Sequence, residues 1–400
     1  PQLYKQILMI AGMDRYFQMA KCLRDEDLRV DRQPEFTQID LEMSFCTPED
    51  IYTIVEGIMT AIWNEAGQNI ITPFPRISYK DSMNTYGTDK PDLRVELPIT
   101  DVTEITKNSA FSVFTNAIEN KGVVKCLRVP GGASLTRTDL EQFIELAKTH
   151  HAHGMAWAKV TGVSNAILES SITKYLAPEI QSALIKATNA VTGDILMFVA
   201  ESWKIACTVL GQVRLAVAEK QKLLLQGSWK FAWITDFPLF AWNEEAQTWD
   251  AEHHPFCMPR EQDIQYLETD PAKVYATTYD LALNGTELLS GSVRITSPEL
   301  QNKIFKLLGL SEQETRTKFG FLLDAYKYGG PTHAGVGIGF DRIVALLCGL
   351  TDIREVIAFP KNKKAQCPMD GSPSAPTEQQ LKELHIKRDL ANDNKTNHQF

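Results

Sequence analysis

Asn284-Gly285 stands between two runs of alternating apolar residues, Val274 to Leu283 and Thr286 to Thr296. Asn and Gly tolerate positive φ at both turn positions, so the pattern predicts a tight two-residue β-hairpin and commits this part of the chain to an antiparallel sheet. Its register pairs Leu283 with Thr286, Ala282 with Glu287 and Leu281 with Leu288. Asp280 and Glu287 then lie diagonally on one face, about 7–8 Å apart along the backbone. Two carboxylates at that separation suit a hard cation, and Mg²⁺ bridging nucleotide phosphates is the natural occupant. Two solvated acids on an exposed hairpin fit the pattern equally well. Strict alternation turns Arg294 to the opposite face. Gly291, within Ser290-Gly291-Ser292, is therefore expected to mark a bulge that returns Arg294 to the side of the acids.

A second hairpin is legible between Tyr16 and Phe45. In Glu35-Phe36-Thr37-Gln38-Ile39-Asp40-Leu41-Glu42-Met43-Ser44-Phe45 the odd positions from Thr37 onward are nearly all apolar, and Phe36, Gln38, Asp40, Glu42 and Ser44 share the other face. One face should pack on a core while the other offers acids and amides. The partner strand puts Gln18, Ala20, Cys22, Arg24 and Glu26 on one face. The loop Asp25 to Pro34 is dense in arginine and acid. A guanidinium fork at a strand end can grip phosphate bidentately, and Phe36 offers a flat face to a purine; a solvated hairpin is the plain alternative.

Near the far end, Gly335-Val336-Gly337-Ile338-Gly339-Phe340-Asp341-Arg342 runs into Ile343-Val344-Ala345-Leu346-Leu347. The glycines are spaced GxGxG rather than GxGxxG, no parallel βαβ pattern leads in, and no lysine stands at P-loop spacing, so a dinucleotide fingerprint and a P-loop are both set aside. What remains is a glycine-smoothed strand entering a helix with Arg342 in its first turn. His253-His254 lies between site-like blocks. His150, His151 and His153 have no fourth metal ligand at sensible spacing and suit the negative end of a helix.

Four hundred residues call for two folded units or one elaborated domain. Blocks are read at 1–95 (strand-rich, closed by Tyr86-Gly87-Thr88-Asp89-Lys90-Pro91-Asp92-Leu93-Arg94), 96–225, 226–368 and a polar tail at 369–400. In the second block Phe111–Phe114, Val123–Val129, Met155–Val160 and Ile195–Ala200 read as strands. Leu140–Thr149, Ile180–Ala190 and Leu215–Leu225 read as helices, giving a smaller inserted α/β domain. The net charge of −9 argues against nucleic-acid binding by bulk positive potential but leaves local basic patches open. Seven scattered cysteines without a CxxC pair fit free thiols in a reducing cytoplasm. No apolar run is long enough to span a membrane. The opening Pro1-Gln2-Leu3-Tyr4-Lys5, without Met, reads as the interior of a longer chain, and the piece alone is expected to fall short of the whole chain's activity.

The run from Arg15 to Phe45 resembles motif 2 of the class II aminoacyl-tRNA synthetases of the bacterial aspartyl type. Tyr86 to Arg94 resembles the segment leading into that family's insert, and Gly335 to Arg342 resembles motif 3. The resemblance reaches to about residue 370. It implies an α+β fold, with an antiparallel catalytic sheet flanked by helices in blocks 1–95 and 226–368 and the insert between them. It implies ATP and Mg²⁺ as cofactors. L-aspartate and tRNA would be substrates, tRNA-Asp with tRNA-Asn left open, in a homodimer whose motif 1 and anticodon-binding domain are missing here.

By the same resemblance Arg24 and Arg342 are catalytic, on the α- and γ-phosphates. Asp25, Glu26, Gln33, Phe36, Glu287, Gly339, Phe340 and Asp341 join them at ATP, and Asp280 and Glu287 hold the metal. Gln2, Lys5, Arg24, Asp40, His253 and Arg294 take the aspartate, with Arg294 on its side-chain carboxylate. An unpaired Arg294 facing asparagine would cost about 3–5 kcal/mol, or roughly two to four orders of magnitude in preference. An asparagine-using relative and a catalytically inert RNA-binding relative are the rivals. The first would set Lys5 and Arg294 against a neutral amide, and the second has no need of Arg24, Glu287 and Arg342.

Overall fold

The computed structural model describes residues 2–26, 28–162, 166–225 and 227–388. The chain divides into two compact units, Pro1–Ala20 with Ile39–Gly339, and Lys21–Gln38 with Phe340–Phe400.

The first unit opens on α1 (Gln2–Ile10) and the hairpin strands β1 (Arg15–Leu23) and β2 (Glu35–Ser44), whose outer ends belong to the second unit. Thr47 and Asp50 cap each other reciprocally and Pro48 takes the first helical position, which starts α2 (Pro48–Glu65). Ile51, Val55, Met59 and Trp63 recur every fourth residue and bury one stripe of that helix. β3 (Arg76–Ser78) and α3 (Tyr79–Tyr86) follow. The block expected to be strand-rich is thus as much helix as strand, because the alternation of the first hairpin gives way to a period of four after Thr47.

Next come β4 (Ile99–Asp101), α4 (Thr103–Thr106), α5 (Ser112–Glu119), β5 (Val123–Val129), α6 (Arg137–Thr149), β6 (Ala156–Thr161), β7 (Ile167–Glu169), α7 (Pro178–Thr188), β8 (Ile195–Glu201) and α8 (Trp203–Lys220). The strands form a sheet in the order β4-β5-β8-β6-β7 with every neighbour antiparallel. Leu127, Val129, Met197 and Val199 pack on one side with residues of α6 and α8. Val124, Cys126, Leu196 and Phe198 pack on the other with Phe114 and Leu184. Burial on both faces is why β5 and β8 read as nearly unbroken apolar runs. Two readings are corrected here. Phe111–Phe114 is no strand: Phe111 precedes α5, which buries Phe114, and a four-residue apolar run does not tell the two states apart. The helix expected at 215–225 begins at Trp203 instead. Ala206, Val209, Leu210, Val213 and Val217 are all fully buried, so its amphipathic signal is weak.

The segment closing the first block is held rather than loose. Arg214 on α8 is fully buried and donates to the carbonyls of Asp92, Val95 and Leu97. Burial pulls its guanidinium down to about 10, against the opposing charge of Asp92. Gly87 ends α3 at φ 74. A Cβ there would lie 2.2 Å from the Cys207 carbonyl of α8, so only glycine permits this approach.

The unit continues through β9 (Phe231–Thr235), β10 (Phe240–Asn243), β11 (Thr248–Ala251), β12 (Thr278–Leu283), β13 (Thr286–Val293), α9 (Pro298–Leu307), α10 (Glu312–Tyr326) and β14 (His333–Gly339). Its main sheet runs β1-β2-β14-β13-β12-β9-β3. β9, β12, β13 and β14 pair antiparallel, and the edge strand β3 joins β9 in parallel. The fold class is α+β, as expected. Asn284 and Gly285 take φ 51 and 86, with Leu283 opposite Thr286 and Ala282 opposite Glu287. Beyond that the expected register fails: Leu281 pairs with Leu289, not Leu288. The bulge therefore sits at Leu288, not at Gly291. Gly291 has another cause, since a Cβ there would lie 2.3 Å from the Gly335 carbonyl and 2.5 Å from the Tyr279 ring.

The second unit holds the outer parts of β1 and β2, then α11 (Phe340–Leu347) and α12 (Glu378–Glu383). Its β1–β2 loop is tied to the segment after α11. Ile353 N–H donates to the Val30 carbonyl at 3.0 Å, and Lys361 N–H donates to Gln33 Oε1 at 2.8 Å. Asp27 of that loop and residues 389–400 of the polar tail lie outside the described residues. Among the described residues no helix is long and apolar enough to cross a membrane. All seven cysteines are free thiols.

Candidate functional site

The even-numbered face of β2, expected to offer acids to a site, is the more deeply buried one. Glu42 is 0% exposed and Asp40 2%. Lys5, from α1, reaches Asp40 Oδ1 at 2.7 Å and Glu42 Oε2 at 3.1 Å. Arg294 closes on Glu42 through two parallel bonds, Nε to Oε1 at 2.9 Å and Nη2 to Oε2 at 3.1 Å. Two cations and two anions thus form a buried, formally neutral cluster. Burial alone would raise the Glu42 carboxyl, but the guanidinium of Arg294 and the ammonium of Lys5 outweigh it and hold it below its ordinary value.

The bulge at Leu288 builds this arrangement. Before it Glu287 pairs with Ala282; after it Ser290 pairs with Asp280 and Ser292 with Thr278. Alternation along β12 puts Asp280 on the face of Ala282, so Glu287, Asp280, Ser290 and Ser292 share one side, with Arg294 two residues on. The expected consequence for Arg294 holds, through a bulge in a different place. On the neighbouring strand Gly335 lies opposite Ser292, and a Cβ there would sit 2.0 Å from Glu42 Oε2. That glycine clears room for the carboxylate, a demand invisible in the GxGxG spacing.

Both histidines of His253-His254 lie at the site, each with its own partner. His253 Nε2 lies 3.2 and 3.3 Å from the two oxygens of Asp280. Burial would lower its imidazole, but the charge of Asp280 prevails and holds it above the ordinary value. His254 meets Arg294 instead, Nε2 to Nη1 at 2.8 Å. A guanidinium can only donate, so this nitrogen accepts, and burial first and then Arg294 hold His254 well below its ordinary value. Arg294 Nη1 also donates to Ser292 Oγ. Around the cluster Gln2 Nε2, Asp40 Oδ2, His253 Nδ1 and Thr278 Oγ1 are buried without a hydrogen-bond partner among the described residues. Unspent donors and acceptors beside buried charge are what a polar ligand would satisfy.

Asp280 and Glu287 lie on one side of the hairpin as expected, although Asp280 is buried and shared with His253. Among the described residues no group of three or more His, Cys, Asp or Glu side chains is placed to hold a metal. Two carboxylates still fit Mg²⁺, which keeps waters and takes nucleotide phosphate oxygens as further ligands. His150, His151 and His153 form no metal group either; His153 Nδ1 meets Glu201 at 2.7 Å.

In the second unit Arg24 lies over the Phe36 ring, 5.1 Å from its centroid, and meets Glu26 at 3.4 Å. Asp25 is exposed. Three residues assigned to ATP have partners within the fold. Gln33 gives its amide to the backbone of Lys361, accepting at 2.8 Å and donating at 3.2 Å. Asp341 accepts from the Thr37 N–H at 2.7 Å, and Arg342 pairs with Asp31 at 3.7 Å. Gly339 ends β14 and Phe340 begins α11. Residue reading missed Glu42 as Arg294's partner, His254 and Gly335; the shared even face of β2 was the one available signal, and it pointed to Glu42.

The buried Glu42 carboxylate makes folding acid-sensitive. Its folded pKa lies below its unfolded one, so the stability it contributes is complete above pH about 4.5 and is lost as pH falls through the folded value. Unfolding free energy measured between pH 7 and 3 is expected to fall less steeply in Glu42→Gln than in the parent. Equal slopes would show that Glu42 does not carry this term.

Residues 1–363 match the family model described as tRNA synthetases class II (D, K and N). An aspartate–tRNA ligase of Ruminiclostridium cellulolyticum is 46% identical over 387 residues, 96% of this chain and 65% of the relative. An aspartate–tRNA(Asp/Asn) ligase of Syntrophomonas wolfei is 46% identical over 97% of this chain and 66% of its own length. The chain therefore spans slightly less than two thirds of these relatives. A solved aspartyl-tRNA synthetase from Entamoeba histolytica aligns at a TM-score of 0.45 and 19% identity, over 92% of this chain and 52% of its own.

Proposed function

Since the chain belongs to the class II tRNA synthetases of the D, K and N group, we propose that this protein activates L-aspartate with ATP as aspartyl-adenylate and transfers the aspartyl group to the 3′ end of tRNA. The observation that carries the choice of aspartate is the buried cluster of Lys5, Asp40, Glu42 and Arg294. Lys5 and Arg294 present cations to a side-chain carboxylate. The unpartnered oxygen of Asp40 and amide nitrogen of Gln2 suit the ammonium and α-carboxylate of the same zwitterion. A lysine side chain would meet like charge at the first pair.

Activation requires in-line attack of the substrate carboxylate on the α-phosphorus, which needs position and positive charge rather than a protein nucleophile. Arg24 and Arg342 supply charge to the phosphates, and Phe36 a flat face to the purine. Mg²⁺ held by Asp280 and Glu287 would neutralise charge on the departing pyrophosphate. His253 orients Asp280, and Ser292 and His254 fix the guanidinium of Arg294. Homodimerisation, a cytoplasmic site of action and tRNA-Asp as acceptor belong to the same proposal, with charging of purified tRNA-Asp and tRNA-Asn deciding between the two acceptors.

ATP–pyrophosphate exchange tests the reading, with L-aspartate expected to support it and asparagine and lysine expected not to. Faster exchange with either of those two would overturn it. In the same assay Asp280→Asn and Glu287→Gln are each expected to raise the Mg²⁺ needed for half-maximal rate by about tenfold or more, the effect of a weakened first metal ligand being at least that of the outer-shell changes that cost 10–100-fold. An unchanged Mg²⁺ requirement in both variants would remove these carboxylates from the metal site.

A further inference from the structure

The five-stranded sheet has no task in the activation chemistry, yet the tip of the β12–β13 hairpin is seated where the chain enters and leaves it. Asn284 has a use there beyond its positive φ. Its Oδ1 accepts from the Lys230 N–H at 3.0 Å, and its Nδ2 donates to the Ser228 carbonyl at 2.9 Å. The Asn284 N–H also meets the Lys230 carbonyl at 3.4 Å. These bonds carry the β12–β9 ladder past its last strand pair, Leu283 with Phe231. Ser228 and Lys230 belong to the chain that returns from α8. Trp229, between them, packs edge-on against Trp63 of α2 with ring centroids 5.5 Å apart and donates from Nε1 to Gln68 at 3.2 Å. The tip is therefore tied to a fixed point.

The chain that enters the same sheet closes the other side. A Cβ added at Gly285 would lie 3.5 Å from the Cβ of Asp92. Asp92 is itself held, by Arg94 at 2.9 and 2.6 Å on its carboxylate and by Arg214 of α8 at 2.8 Å on its carbonyl. What the turn governs is Glu287. This residue precedes the first pair of β13 with β14, Leu289 with Ile338, and the bulge at Leu288 separates it from that pair. Its backbone takes its place from the turn and from Ala282 opposite. Asp280 is placed differently, being paired on both sides, with Ser290 and with Ile234. The sheet interior sets one carboxylate and the turn sets the other.

We propose that Asn284 is a positioning residue, which anchors the hairpin tip at the root of the five-stranded sheet and so sets where the Glu287 carboxylate stands relative to Asp280. This rests on the reading of Asp280 and Glu287 as metal ligands. The first readout needs no metal, nucleotide or turnover. Asn284→Gly keeps the positive φ that the turn demands and deletes both side-chain bonds. In the metal-free protein it is expected to speed amide hydrogen exchange across residues 284–288 by about tenfold, the effect of one or two net hydrogen bonds on local opening, and to leave residues 278–281 unchanged. Asn284→Asp keeps the acceptor for the Lys230 N–H and loses the bond to Ser228, so it is expected to fall between. The second readout is aspartate-dependent pyrophosphate exchange. There the Mg²⁺ needed for half-maximal rate is expected to rise about tenfold in Asn284→Gly, the lower end of what outer-shell changes cost, with KM for aspartate unaltered and the rate restored by excess Mg²⁺. Parental amide exchange at the tip would overturn the proposal. So would faster amide exchange with a parental Mg²⁺ requirement, or a lowered rate that excess Mg²⁺ does not restore, since Asn284 would then serve folding alone. In those cases Asp280→Asn and Glu287→Gln still raise the requirement and the metal reading stands. If neither of those two variants raises it, the metal reading fails and this inference fails with it.

Discussion

Arg294→Leu is expected to abolish aspartate-dependent exchange to within about 1% of the parent rate and to cost about 3–5 kcal/mol of folding stability, the penalty of breaking a buried pair. The two losses have different origins and can be separated. Arg294 is bonded bidentately to Glu42, so its removal leaves a fully buried carboxylate with only Lys5 to answer it. Replacing both partners with apolar residues removes that orphan, and such exchanges are often neutral or stabilising. Arg294→Leu/Glu42→Leu should therefore recover most of the lost stability, read as the denaturant midpoint, while exchange stays dead. If the double variant is as unstable as the single one, the pair is not what the fold depends on. If Arg294→Leu retains exchange with an unaltered preference for aspartate over asparagine, Arg294 does not read the substrate.

The same pairing revises the size of the discrimination. An Arg294 waiting alone for a carboxylate would punish asparagine by two to four orders of magnitude. With Glu42 already in place the guanidinium is never left unpaired, whichever amino acid enters. That range becomes an upper bound, and the preference rests on the difference between a carboxylate and an amide at Lys5 and Arg294 together.

What could be read from the sequence follows the range of the interactions concerned. The Asn284-Gly285 turn is local chemistry and its first two pairs came out as expected. The bulge was inferred from a need, to bring Arg294 to the face of Glu287, and that need was real. Gly291 does not mark its position: the bulge lies at Leu288, and this glycine serves the close approach of the Tyr279 ring and the Gly335 carbonyl. Alternation along β2 put Asp40 and Glu42 together, yet only the fold shows that this face turns inward and meets Lys5, 35 residues earlier in the chain, and Arg294, 252 residues away from Glu42. Gln33, assigned to ATP by the resemblance, shows the same limit: the bond of its amide to the backbone of Lys361, 328 residues distant, is invisible in the loop sequence.

Gly335→Ala is expected to be as damaging as any change in the charged cluster, although it adds one methyl group. That carbon would lie 2.0 Å from Glu42 Oε2 and 2.2 Å from the Leu41 carbonyl oxygen. Neither obstacle gives way cheaply: one is backbone inside the main sheet, the other a carboxylate locked to Arg294 and Lys5. Overpacking in a well-packed interior costs about 1–3 kcal/mol and occasionally more, and here relief means prising Glu42 from its partners, so about 3 kcal/mol or more is expected. Exchange should be lost even in the folded fraction, because displacing Glu42 moves the guanidinium that it aims. Gly57→Ala is the matched control. Gly57 lies inside α2 with nothing within 4 Å of an added Cβ, and the helix should gain about 0.8–1 kcal/mol from alanine. Unfolding midpoints that rise for Gly57→Ala and fall steeply for Gly335→Ala are the expected result. A Gly335→Ala protein with parental midpoint and parental exchange would mean that Glu42 does not occupy the space beside this strand.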